Sequence, residues 1–383
     1  MRRIPSLRVL AFSLRQRLAR LFGLGRAGQE SLSRNSALSP SARHFADYDT
    51  APAKLRFSTG AWSGIESWEK SAREKLADLT GYSRDSVVPK IIGDDSFALP
   101  DGLVRRRVYL SVRTGVVVPV HLIAATTSSG PRAAMICLQG TNTGAHLSWS
   151  EARFPADVDK NAQGYDFAVQ AARRGYLAVA IEQSCFGERA EQQISPRSAE
   201  PCVDATMHAL LLGRSLLGER CYDVSRVCDW LIAQAKELDI LPDQVHIMGH
   251  SAGGSVALFA AALDKRIGAV LACGCIGYIR ETIGRRRDSQ GQNVVPGILN
   301  WFELADVVGL IAPRPFVTVA GDSDHIWPSS GAKAVVEEAR RIYALCGAAE
   351  CIACETAPGG HMFRPELSWR TFEKTLNKTS RSQ

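Results

Sequence analysis

From about residue 95 onward, short apolar runs alternate with longer stretches in which apolar residues recur every third or fourth position. The runs at residues 177–181, 245–248, 267–273, 316–320 and 351–356, with one more around Met135, are too short for helices and read as strands, those near Met135 and at 316–320 as buried ones. Residues 105–112 and 117–125 alternate around Thr114-Gly115 and predict an antiparallel hairpin. Helical spacing marks residues 167–174, 222–236, 255–263 and 332–345, and, upstream, residues 65–79. Strand and helix take turns, which predicts an α/β fold: one mostly parallel central sheet with helices on both faces and a site at the strands' carboxyl ends. Residues 28–60 are rich in Ser, Ala and Arg and read as a linker. The expected organisation is an N-terminal extension over residues 1–45, a linker and helical lead-in over 46–95, and one catalytic domain over 96–383. Three long connections, at 142–163, 183–204 and 277–305, are placed to cap the site.

One strand-to-helix junction carries chemistry. Gly249-His250-Ser251-Ala252-Gly253 follows the run ending at Met248 and opens the alanine-rich helix. In a chain with 32 glycines among 383 residues the Gly-x-Ser-x-Gly string alone says little; its position between strand and helix says more. Such a turn is a nucleophile elbow, in which small flanking residues tolerate a strained backbone that holds the serine hydroxyl out of the sheet.

A serine hydroxyl needs a base to take its proton and a carboxylate to orient that base. In α/β-hydrolases these follow the serine in the order acid, then histidine. The predicted strand at 316–320 ends in Gly321-Asp322-Ser323-Asp324, and the one at 351–356 is followed by Pro358-Gly359-Gly360-His361. Only His325 and His361 lie beyond the elbow, and His325 adjoins the acid loop itself, so His361 is the expected base.

Ala312-Pro313-Arg314-Pro315, the spacing of Gly321, Asp324 and Pro328, and Gly360-His361 resemble the carboxyl half of the dienelactone-hydrolase-like and acetyl-xylan-esterase-like α/β-hydrolases. Phe186-Gly187-Glu188-Arg189 is similar to the acetyl-xylan-esterase-like branch, and the resemblance covers about residues 95–375. It implies an α/β-hydrolase fold and makes Asp324, rather than Asp322, the acid of a Ser251-His361-Asp324 triad. Dienelactone hydrolases proper use a cysteine nucleophile; Ser251 in its place argues for ester hydrolysis. The oxyanion hole draws one backbone N–H from the residue after the nucleophile, Ala252, and one from the loop after an earlier strand. That loop is Gln139-Gly140-Thr141, where the family usually has His-Gly or Pro-Gly, so Thr141 is the expected second donor by position.

Charge changes the picture at one end only. The chain carries +7, and residues 1–45 supply +8 of it from nine arginines against Glu30, leaving −1 for the body. A near-neutral body gives no footprint for nucleic acid. Leu7, Leu10, Leu14, Leu18 and Leu21 at helical spacing, with arginines between them, predict a basic amphipathic helix. Peripheral membrane contact through residues 1–26, an organelle transit sequence, and a helix docked on the body all suit it. The ten cysteines fall largely in apolar patterns, among them Cys137, Cys228, Cys273 and Cys351, as buried thiols do. Cys351-x-x-Cys354 on a strand is a poor metal clip, because residues three apart face opposite sides. Neither a metal nor an organic cofactor is expected, and a reducing cytoplasm is the simplest compartment.

The expected function is a serine esterase acting on a small ester, short-acyl or of the acetylated-sugar type. Trp149, Trp301 and Trp327 lie on or beside the predicted site loops. A basic rim at 285–288 and a lipophilic substrate met at a membrane are further readings. A prolyl-oligopeptidase-like peptidase and an acyltransferase share the same acyl-enzyme chemistry.

Overall fold

The computed structural model describes residues 39–379 apart from 61, 63, 84, 86, 128–129, 194–200 and 286–290. The predicted amphipathic helix at residues 7–21, and the arginine run beyond Arg285, lie outside the described residues. The chain divides into two units after Thr50. The described part of the first holds one helix, α1 (Pro40–Thr50).

The second unit is built on nine strands: β1 (Lys90–Leu99), β2 (Leu103–Arg113), β3 (Val116–Ala125), β4 (Arg132–Leu138), β5 (Leu177–Ile181), β6 (Ile240–His250), β7 (Ile267–Cys273), β8 (Phe316–Gly321) and β9 (Ile352–Ala357). They lie in the order β1-β2-β3-β5-β4-β6-β7-β8-β9. The first three strands are antiparallel, β3 meets β5 antiparallel, and from β5 to β9 every pairing is parallel. This is the α/β sheet that the alternating pattern predicts, in the α/β-hydrolase arrangement that the resemblance implies.

Period-two alternation explains how the sheet is covered. On β4, Ala134, Ile136 and Leu138 point into one core and Met135 and Cys137 into the other. The first core is closed by α2 (Ile65–Thr80), α6 (Leu216–Ala233), α7 (Ala252–Leu263) and α9 (Ser329–Leu345), which bury Trp68, Trp230, Phe259 and Tyr343. The second is closed by α4 (Phe167–Arg173) and α10 (Pro365–Thr379) through Phe167, Trp369 and Phe372. Short helix α3 (Pro155–Ala162) sits in the first long connection, while α5 (Pro201–Leu211) and α8 (Leu304–Gly309) begin at the ends of the second and third.

The body starts earlier than the sequence pattern suggests. The boundary at residue 96 falls inside β1, an exposed edge strand tied to β2 by Asp94–Arg106 at 2.6 Å and Asp95–Arg107 at 2.7 Å. Residues 51–60, expected to be linker, are strapped down: Lys54 and Leu55 donate N–H groups to Asn300 and Trp301, and Arg56 pairs with Glu338 at 3.1 Å.

Buried Asp306 receives the N–H of Phe57 at 2.8 Å, and burial, outweighing the pull of its N–H donors, pushes its carboxyl up to about 7. A carboxyl whose folded value is raised binds a proton that the unfolded chain releases. Its contribution is therefore complete below the ordinary carboxylate range and is lost as pH rises through about 7. The stability of wild type relative to Asp306→Asn is expected to shrink by about 2–4 kcal/mol between pH 4.5 and 8. Paired denaturant titrations at the two pH values check it, and a gap that widens with pH contradicts it.

Candidate active site

β6 ends at His250 and α7 begins at Ala252, so Ser251 alone makes the turn. It does so at φ 55° and ψ −122°, a region costing about 1–3 kcal/mol for a residue with a side chain. The flanking glycines make the turn sterically feasible: a Cβ on Gly249 would overlap the backbone of Gly253, and one on Gly253 would overlap the carbonyls of Leu138 and Gln139. The turn is pinned by the Ser251 N–H, which donates to the Cys273 carbonyl at 2.8 Å.

Two loops at the same edge of the sheet meet this serine. His361 Nε2 lies 2.9 Å from Ser251 Oγ, and its Nδ1 lies 2.8 Å from Asp324 Oδ2. With the proton on Nδ1, the ring donates to Asp324 and presents its Nε2 lone pair to the serine hydroxyl. Asp324 Oδ1 accepts the backbone N–H groups of Ile326 and Trp327 at 2.8 and 2.9 Å. Burial raises the cost of its charge, but the bonds from His361 and these amides more than offset it and hold the carboxyl below its ordinary value. The histidine loop approaches β8 so closely that a Cβ on Gly321 would overlap the carbonyls of Gly359 and Gly360. Arg364 staples that loop through the carbonyls of Pro358, Gly360 and Met362 at 2.9, 3.0 and 2.6 Å.

Of the alternatives, Asp322 is exposed and accepts the Gly359 N–H at 3.0 Å, and His325 is exposed beside the acid. Neither is hydrogen-bonded to Ser251 or His361. Ala252 opens α7, so its amide is among the first-turn donors that lack an acceptor within the helix. Thr141 lies on the loop after β4, beside the elbow, where a Cβ on Gly140 would come within 3.3 Å of the Ser251 Cβ. Gln139 replaces the family's usual residue and is buried, with its amide given to Ser148 Oγ at 2.8 Å and the Tyr165 carbonyl at 2.7 Å.

A cavity of about 220 Å³ opens over Ser251, lined by Thr141, Asn142, Lys160, Tyr165, Gln292 and Trp327 among others. Lys160, Gln292 and Asn293 come from the long connections and carried no signal in periodicity. Beneath it His250 is buried, and burial, with His361 close by, holds its ring well below the ordinary imidazole value and so neutral. Of the three tryptophans, only Trp327 lines this cavity. Trp149 is buried against His121 at 4.3 Å between ring centres, and Trp301 packs under Lys54 and Lys75. Phe186-Gly187-Glu188-Arg189 is a brace: Gly187, at φ 48°, leaves room for the Glu182 carboxylate, and Arg189 binds Asp223 at 2.8 Å. Among the described residues no helix is long and apolar enough to cross a membrane.

A strained serine at a strand-to-helix turn, on a mostly parallel sheet wrapped by helices, makes this chain an α/β-hydrolase. Residues 63–327 match the Abhydrolase family, and the chain belongs to it. The match ends between Asp324 and His361. The Bacillus subtilis protein named "Putative hydrolase YtaP" is 27% identical over 245 residues, 63% of this chain and 77% of its own. Among solved structures, a Bacteroides fragilis protein described as a "putative acetyl xylan esterase" superimposes with a TM-score of 0.66 at 19% identity, over 83% of this chain and 82% of its own. The glucuronoyl esterase from Solibacter usitatus superimposes at 0.62 and 15% identity, over 85% and 97%. At these identities the likeness to both structures is one of fold.

Proposed function

We propose that this protein is a serine esterase that cleaves a small carboxylic ester with a short acyl group, the acetyl ester of a sugar being one such substrate. The observation that carries the reading is the continuous hydrogen-bonded chain Ser251–His361–Asp324 opening into a cavity of about 220 Å³. Ser251 Oγ attacks the ester carbonyl carbon as its proton passes to His361 Nε2. Asp324 holds the ring in place and stabilises the imidazolium. The oxyanion is met by the N–H groups of Ala252 and Thr141. Collapse breaks the bond to the alcohol, which leaves with the proton from His361, and a water activated by the same nitrogen then releases the acid and restores Ser251. The carbohydrate esters in the names of the structural neighbours bring acetylated sugars into the reading.

A cavity of this size, walled by Tyr165, Ile326 and Trp327, fills with few methylenes, and further ones meet packed side chains. For esters of one alcohol, kcat/KM is expected to fall at least tenfold from acetyl or propionyl to octanoyl. A chain-length series checks it, and a preference for octanoyl overturns the short-acyl reading while leaving the serine chemistry intact.

A further inference from the structure

The cavity's electrostatics are one-sided. Among the described residues that line it, Lys160 is the one with a formally charged side chain at neutral pH, while Thr141, Asn142, Gln292 and Asn293 supply neutral polar groups. The nearest triad charge, on Asp324, is taken up by His361 and two backbone N–H groups. Lys160 is also held in place. Its helix, α3, is anchored by buried Asp157, which binds Thr143 Oγ1 at 2.6 Å, His146 at 2.9 Å and the N–H groups of Arg153 and Phe154. The Lys160 ammonium lies 4.6 Å from the centre of the Tyr165 ring, another cavity wall, and no ion pair among the described residues engages it.

A second cation stands behind the wall. Arg220 is buried in α6 and bonds only to neutral groups: Gln292 Oε1 at 2.8 Å, the Ser184 carbonyl at 2.6 Å and Cys202 Sγ at 3.5 Å. No carboxylate lies within ion-pair distance of it among the described residues. A buried guanidinium without a carboxylate partner is costly to hold, and the bond from Cys202, with Arg220 close by, draws the neighbouring Cys185 thiol down to about 6. Gln292 stands between Arg220 and the cavity and gives its own amide to Thr141 Oγ1 at 2.6 Å. The Lys160 ammonium, the charged group in the lining itself, therefore biases the cavity toward negative charge.

We infer that the ester this site prefers carries a carboxylate, and that the Lys160 ammonium binds it. This rests on the esterase reading and deepens it. A neutral ester of the same shape meets the same walls without the attraction, so the selectivity is a charge preference expressed mainly in KM.

Two matched pairs test it and separate the two places a carboxylate can sit. On the alcohol side, 4-acetoxybenzoate is compared with 4-acetoxybenzamide; on the acyl side, monoethyl glutarate with ethyl pentanoate. In at least one pair, Lys160→Met is expected to lower the anionic-to-neutral ratio of kcat/KM about tenfold through KM, and Lys160→Glu to lower it further. The wild-type ratio is expected to fall with added salt. Lys374→Met, on exposed α10 surface, is expected to keep the wild-type ratio. An unchanged ratio in both pairs for Lys160→Met overturns the inference while turnover of neutral esters keeps the esterase reading. No turnover of any of the four esters overturns that reading and this one with it.

Discussion

Ser251→Ala is expected to lose about 10⁴- to 10⁶-fold in kcat while leaving the fold intact. The backbone at this position is strained for any residue with a Cβ, and alanine bears the same strain as serine. The hydroxyl is hydrogen-bonded to the His361 side chain, and its removal leaves the turn's own anchor, the N–H donated to Cys273, in place. Activity is thus separable from stability at this site: the melting temperature should move by a few degrees at most. An organophosphonate should label wild type on the peptide spanning residues 249–254 and leave the variant unmodified. Full turnover by the variant, or labelling elsewhere in an inactivated wild type, would remove Ser251 from the role of nucleophile.

How much of this was visible in the chain depends on whether the signal was local. β5, β7, β8 and the end of β6 were legible because their burial on both faces leaves uninterrupted apolar runs, and α7 because alanines packed under the sheet have no polar face to show. β1 was not. It is an edge strand exposed along most of its length, its order coming from cross-strand pairs with Arg106 and Arg107 that no period along residues 90–99 encodes. The early start of the body was hidden for the same reason: Arg56 and Phe57 find their partners, Glu338 and Asp306, nearly 250 positions away or more.

The candidate site divides in the same manner. Ser251 announced itself through glycines that the close approach of backbones requires, and His361 as the histidine beyond the elbow that stands clear of the acid loop. Lys160 and Gln292 carry no such mark, because convergence of two long connections on one cavity is a property of the folded chain. The tryptophans misled in the opposite direction. Trp149 and Trp301 lie near site loops in sequence, yet one is spent on packing against β3 and the other on a pair of lysine ammonium groups. Aromatic bulk on a loop is as well suited to holding the loop down as to meeting a ligand.

Periodicity does not distinguish Asp322 from Asp324, since both sit on the loop after β8, but their replacement by asparagine is expected to separate them sharply. Asp324→Asn should cost about a thousandfold or more in kcat. The amide no longer carries the charge that stabilises an imidazolium, and its Nδ2 presents a donor where His361 Nδ1 needs an acceptor, which favours the tautomer with its proton on Nε2, facing Ser251 Oγ. Wild-type Asp324 stays ionised well into the acid range, since the bonds from His361, Trp327 and Ile326 outweigh burial and hold its carboxyl below the ordinary value. Loss of activity with falling pH should therefore not come from its protonation near neutrality. Asp322→Asn keeps a carbonyl oxygen able to accept the Gly359 N–H on an exposed loop and should cost less than about tenfold. Steady-state kinetics on the two variants with a single acetyl ester decide the matter. A thousandfold loss for Asp322→Asn with a mild one for Asp324→Asn would mean that the loop rearranges in the working enzyme and that the hydrogen bond at 2.8 Å is not the one that orients the base.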